Sequence, residues 1–217
     1  MYKAGLGLAA LVALSQGIAS AQSGPPTAAI DITNAQIQAV LKYAPPKVDQ
    51  TLRVIDMGGY AMSVAVIHRG APTPRPAGAA PANANANANL VKCGLDSAPA
   101  GAQMSPPGMI AHDDTVETYI VISGSGTLVT GGQIVNGRRS APDDEVTTIL
   151  NGPSCSGRSA GAIVSRVMNV GDISVIPAGV PHGWTNISSE VTYLSIRPDP
   201  NKVLQHGYVN PHLADAK

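Results

Sequence analysis

The chain predicts a single all-β domain, a small barrel preceded by a short helix, on the strength of three observations. The segment Gly171-Asp-Ile-Ser-Val-Ile-Pro177-Ala-Gly179-Val-Pro-His182-Gly-Trp-Thr-Asn186 reads as strand, tight turn, strand, because β-rich runs flank a Pro-x-Gly break. Further β-rich runs, at 51–68, 115–129, 163–170 and 191–196, are punctuated by Gly or Pro. A length of 217 residues suits one barrel domain with a proper core. With no Phe and one Trp, that core is expected to be built from Val, Ile, Leu, Met and Ala.

Residues 1–21 read as an export signal. Lys3 supplies a positive start, residues 4–14 an apolar run, and Ala19-Ser20-Ala21 the small residues of a cleavage site before Gln22. The run is too short to span a bilayer, so the mature product is expected to be secreted or periplasmic and free of the membrane. Residues 22–50 follow as an arm and a short helix. Thr33-Asn-Ala-Gln36 has the form of a capping box, with Ile32 and Ile37 placed as a hydrophobic staple, and Pro45-Pro46 stops the helix after about Tyr43.

The barrel is assigned to 51–200. Residues 51–68 make two strands broken at Gly58-Gly59. The Pro-rich and then alternating Ala/Asn segment at 71–89 is expected to be a mobile insertion, since it has little apolar surface to bury. Residues 115–129 predict one hairpin turning at Gly124-Ser-Gly126, with Gly131-Gly132 ending its second strand. The polar, Gly/Ser-rich stretch at 134–161 predicts a long loop. A strand at 163–170 leads into the Pro-x-Gly segment, 191–196 closes the barrel, and 201–217 is a tail with His206 and His212 at the surface. Cys93 and Cys155 can pair in an oxidising compartment or remain two thiols in a reducing one.

Two segments resemble the cupin motifs. Gly171, Pro177-x-Gly179, His182 and Asn186 match every fixed position of the second. In Gly108-Met-Ile110-Ala-His112-Asp-Asp114-Thr-Val-Glu117, the spacing from Glu117 to Gly124 resembles the end of the first, with His112 at its second histidine. The first histidine position holds Ile110. The resemblance covers roughly 85 residues and implies a cupin-type double-stranded β-helix, a jelly-roll barrel, with a metal site at one end. It also implies a homodimer as the default assembly.

Three candidate ligands remain: His112, Glu117 and His182. Two neutral imidazoles and one carboxylate form a facial triad with open positions, suited to Fe, Mn, Zn, Ni or Co as the divalent metal ion. Two rival ligand sets stay open. His112-x-Asp114 with His182 resembles the triad of 2-oxoglutarate-dependent oxygenases, and His68, at a strand end, can replace the missing histidine. Tyr119 shares Glu117's face by strand alternation and is the candidate catalytic proton donor. Trp184 shares the face of His182, as a pocket wall or as core. Asn186 opens an Asn-x-Ser sequon but reads as a structural turn residue.

The formal net charge is zero and no basic field is present, so nucleic acid is not an expected partner. A small-molecule ligand or substrate is. The functions this leaves are a metal-dependent lyase, isomerase or dioxygenase acting on a small oxygenated molecule, and a barrel that binds a small ligand without turning it over.

Overall fold

The computed structural model describes residues 24–71 and 91–217. The export signal and nearly all of the 71–89 insertion therefore lie outside the described residues. Along the chain run α1 (Asn34–Leu41), β1 (Asp49–Asp56), β2 (Ala61–Gly70), β3 (Lys92–Cys93), β4 (Met109–His112), β5 (Glu117–Gly124) and β6 (Gly126–Arg139). A π-helical turn (Val146–Leu150) precedes β7 (Ser154–Met168), β8 (Ile173–Ile176), β9 (His182–Thr185) and β10 (Glu190–Asp199), and a 3-10 turn (Pro211–Asp215) ends the tail.

The helix forms where its caps dictate. Thr33 Oγ1 accepts from the Gln36 amide at 3.2 Å, and Gln36 Oε1 accepts from the Thr33 amide at 3.0 Å, so two otherwise orphaned donors are satisfied. Ile32 and Ile37 both pack against the cluster of Val40, Leu52, Val66 and Leu213. This cluster seats the helix and the tail on the outer face of one sheet.

The strands form two antiparallel five-stranded sheets among the described residues, β1-β2-β10-β5-β8 and β3-β6-β7-β4-β9, with β6 also pairing β9. This is a double-stranded β-helix of cupin type, as the motifs implied. The faces that meet between the sheets carry the largest core cluster, which includes Ile67, Val121, Leu128, Met168 and Val191. Tyr119, Trp184 and Tyr193 belong to it as well, so aromatics supply more of the core than their scarcity suggested.

Three expectations about the strands need correction. Residues 115–129 are not a hairpin: β5 pairs with β10 and β8, whereas β6 pairs with β7, β9 and β3. Ser125 is a corner where the chain changes sheets. Gly124 makes it possible, with φ +67°, and a Cβ there would lie 2.0 Å from the Glu190 carbonyl oxygen. Gly131-Gly132 does not end β6 but produces a register shift between Gly131 and Gln133, a bulge that local patterning reads as a stop. Only the middle of the supposed loop at 134–161 is loop, at 140–153 with its π-helical turn, since β6 runs to Arg139 and β7 begins at Ser154. Gly137, Ser154, Ser156, Gly157 and Ser159 sit in a bulged ladder in which cross-strand pairing overrides poor β propensity. Cys93 and Cys155 form a disulfide, tying β3 to β7 across β6.

Candidate metal centre

The site is built where the two motifs meet. β4 and β9 run antiparallel with Ile110 opposite His182, and the Gly179 amide donates to the His112 carbonyl at 2.7 Å. The Pro-x-Gly turn therefore fastens one histidine-bearing strand to the other. Glu117 opens β5 in the facing sheet, opposite Ile176 of β8. His112 Nε2 lies 3.2 Å and His182 Nε2 2.9 Å from Glu117 Oε2. All three residues are buried, at 2%, 3% and 1% exposure respectively, and their candidate donor atoms lie within 4.8 Å of one another.

The hydrogen-bond network sets the tautomers. Ser154 Oγ donates to the Gly152 carbonyl at 2.8 Å, so its oxygen is left to accept from His112 Nδ1–H, also at 2.8 Å. His182 Nδ1 lies 3.0 Å from the Val180 carbonyl, which can only accept. Both rings thus carry their proton on Nδ1 and turn an Nε2 lone pair toward the carboxylate. Neither Nε2 has a hydrogen-bond partner, although both are fully buried. Two orphaned lone pairs beside a carboxylate oxygen repel one another unless a cation lies among them, and a buried unpaired acceptor costs about 1–3 kcal/mol. The donor set of two imidazoles and one carboxylate fits a divalent metal ion, with His112, Glu117 and His182 as its holders.

The opposite side of Glu117 is clamped. Its Oε1 accepts from Ser195 Oγ at 2.9 Å and from Arg197 Nε at 2.7 Å. Arg197 is 1% exposed and donates onward to Asp49 Oδ2 at 2.6 Å and to the Leu150 carbonyl at 2.9 Å. Tyr119 donates its phenol proton to Glu117 Oε2 at 2.8 Å. Burial pushes the Glu117 carboxyl up, but the Arg197 guanidinium beside it more than offsets that and holds it well below the usual range. Burial lowers His112 despite the opposing pull of Glu117, which keeps its ring neutral and able to ligate. Burial, then the Glu117 charge, raise Tyr119 well above the ordinary phenol value, so it remains a protonated donor.

The structure brings together His112, Glu117, His182 and Tyr119. It leaves both rival ligand sets apart. Asp114 accepts from Asn201 at 3.0 Å and Asp113 pairs with Arg139, both away from the cluster. His68 bonds to Thr192 at 2.8 Å on another face of β2. Ile110 shares its face with His112 and stands opposite His182, so the missing ligand's position does border the site. Trp184 is core, its ring 5.2 Å from that of Tyr193. His212 stacks on Tyr43 with ring centroids 3.4 Å apart.

Sequence reasoning missed Arg197, Ser195, Asp49 and Ser154. Arg197 carried a usable signal, because it continues the inward alternation of Val191, Tyr193 and Ser195, where a charge requires a buried partner.

No family model and no curated protein matches the sequence. Among solved structures, the chain is similar to a DMSP lyase, DddQ, from Ruegeria pomeroyi, at 12% identity over 69% of this chain and 45% of that one, with a TM-score of 0.33. It is similar to an oxalate oxidase at 16% identity over 73% of this chain and 54% of that one, with a TM-score of 0.32. An uncharacterized double-stranded β-helix protein of Klebsiella pneumoniae matches at 16% identity, over 75% of this chain and 84% of that one, with a TM-score of 0.34. The chain thus spans about half the length of the lyase and of the oxidase. These likenesses are remote, and the reading of the site rests on this chain's own residues.

Proposed function

We propose that this chain is an exported metal-dependent enzyme acting on a small oxygenated molecule, either as a lyase or isomerase or as a dioxygenase. One observation carries the proposal: two buried, tautomer-fixed Nε2 lone pairs converge with a carboxylate oxygen. A divalent ion there would supply Lewis acidity and open positions for substrate oxygen. The chain's own residues do the rest. Arg197 and Ser195 hold Oε1, which leaves Oε2 turned to the histidines. Tyr119 keeps its proton, donated to Oε2, and could pass it on as a general acid. The expected leader and the Cys93–Cys155 disulfide support export to an oxidising compartment.

The burial of all three ligands favours a second reading, a barrel that holds a metal or small ligand without turning it over. Metal analysis of the full chain, as purified and after reconstitution, tests the shared premise. About one divalent ion per chain is expected, lost in His182→Ala and Glu117→Ala. A chain that stays metal-free after reconstitution overturns both versions that depend on metal. Stoichiometric iron points to oxygen chemistry; zinc, manganese, nickel or cobalt points to proton transfer. Bound metal without turnover of any hydroxy- or oxo-acid panel member selects the binding barrel.

A further inference from the structure

The segment joining β6 to β7, residues 140–153, is held to the barrel mainly by its backbone. Six successive carbonyls, from Thr148 to Pro153, each accept from a different donor. Thr148 accepts from the Gln205 amide at 2.8 Å and Ile149 from Thr51 Oγ1 at 3.0 Å. Leu150 accepts from Arg197 Nη1 at 2.9 Å, and Asn151 from Thr115 Oγ1 at 2.8 Å. Gly152 accepts from Ser154 Oγ at 2.8 Å, and Pro153 from the Asp113 amide at 2.9 Å. A helix leaves its last carbonyls without internal partners, so the π-helical turn offers them to the body of the barrel. None of the five side chains of that turn is buried.

Several of those donors also position the candidate ligands. Arg197 holds Glu117 Oε1, Ser154 Oγ accepts from His112 Nδ1–H, and Asp113 and Thr115 lie in the turn between His112 and Glu117. The three ligands are only 1–3% exposed, so the site must open to load an ion. The seated segment also leaves the buried Asn151 Oδ1 without a partner, a cost that opening relieves. We infer that residues 140–153 are a strap over the metal centre: its opening admits the ion, and its seating fixes His112 and Glu117. This inference rests on the metal reading of the site. Beside the strap, a cavity of about 290 Å³ lined by Lys47, Asp49, Thr51, Glu145 and Tyr208 gives its first half room to move.

Hydrogen exchange read by mass spectrometry tests this on the full chain, with zinc as a redox-silent probe. Bound zinc should slow exchange in peptides spanning 140–153, because an ion held best by the seated ligands lowers the open fraction. Thr51→Val removes one donor to the strap without touching a candidate ligand. It should raise the open fraction about fivefold. Zinc uptake and release, followed by stopped-flow mixing with a chelating dye, should then both quicken about fivefold, with affinity held within about twofold. A purely structural role for Thr51 would lower melting and leave both rates alone. Ser188→Ala, at the Ser125 corner, should change neither rate. Bound zinc with unaltered exchange across 140–153, or unaltered zinc rates in Thr51→Val, overturns the strap alone. A chain that binds no zinc overturns the metal reading and the strap with it.

Discussion

The outer His68 cluster and the inner His112–His182 cluster both combine imidazole, carboxylate and hydroxyl groups, and of the two only the inner one is arranged for a metal. At the outer cluster, His68 bonds to Thr192 Oγ1 at 2.8 Å, Thr192 donates to Glu190 at 2.7 Å, and Ser123 donates to the other carboxylate oxygen at 2.6 Å. Donors and acceptors alternate, and the His68 and Glu190 side chains are 29% and 28% exposed. No lone pair is left stranded in a dry place. At the inner cluster Ser195 and Arg197 occupy Glu117 Oε1 and Tyr119 donates to Oε2, while both Nδ1 protons are used elsewhere. What remains there is a set of unopposed acceptors in a buried space. The difference teaches that residue type alone does not make a metal site. The deciding features are burial and the direction in which the hydrogen bonds at Nδ1 turn the lone pairs.

That contrast is sharpest in metal binding. His182→Ala should weaken divalent metal affinity by at least about a hundredfold, whereas His68→Ala and Asp114→Ala should leave it unchanged, as read by competition with a chelating dye. Loss of binding in His68→Ala or Asp114→Ala, with retention in His182→Ala, would reverse the comparison.

Stability should separate the clusters next. Glu117→Ala removes the buried carboxylate facing Arg197 and leaves its guanidinium to Asp49, the Leu150 carbonyl and the Ser195 hydroxyl, and should cost the metal-free protein about 3 kcal/mol or more. Glu190→Ala removes a partly solvated carboxylate and should cost under about 1 kcal/mol. Urea unfolding of both variants measures the gap, and equal losses would mean that Glu117 is not the hub of the buried network.

Supplying the missing ligand should give a smaller effect. Ile110→His places an imidazole opposite His182, on the face of His112, and should tighten metal binding roughly tenfold. Unchanged affinity would show that the position borders the cluster without reaching it.

The smallest effect concerns pH. His112 titrates below its ordinary 6.5 in the folded protein, so as pH falls below that value the unfolded chain takes up the proton first and stability declines. Glu117 is depressed well below 4.5, so its contribution is present above that value and is lost only as pH falls through its lower folded value. Metal-free protein should therefore lose melting temperature on going from pH 7 to 5, with a further loss in stronger acid. His112→Gln should flatten the first part of that decline; an unaltered profile would assign it to another group.

Much of this was readable from residue order. The helix boundaries followed from Thr33, Gln36 and the Pro45-Pro46 stop, because capping and proline sterics act within a few residues. The candidate ligands His112, Glu117 and His182, which the structure brings together, were marked by the resemblance to the two cupin motifs, each of which spans only a few residues around a strand and a tight turn. Misreadings arose where a local signal was outvoted by distant pairing. Gly124-Ser-Gly126 has the composition of a hairpin turn, yet it is a corner, since β10 and β8 were better partners for β5 than β6 was.

By itself, then, the sequence determined an all-β barrel, its leading helix, and the three side chains able to hold a metal, all through interactions spanning a few residues. Only the tertiary structure decided what surrounds them. Arg197 reaches Glu117 across 80 positions and Asp49 across 148, and Ser154 orients His112 across 42. Such contacts have no local period to read. They exist because burying a charge or an imidazole obliges the fold to bring its partner from wherever in the chain it lies.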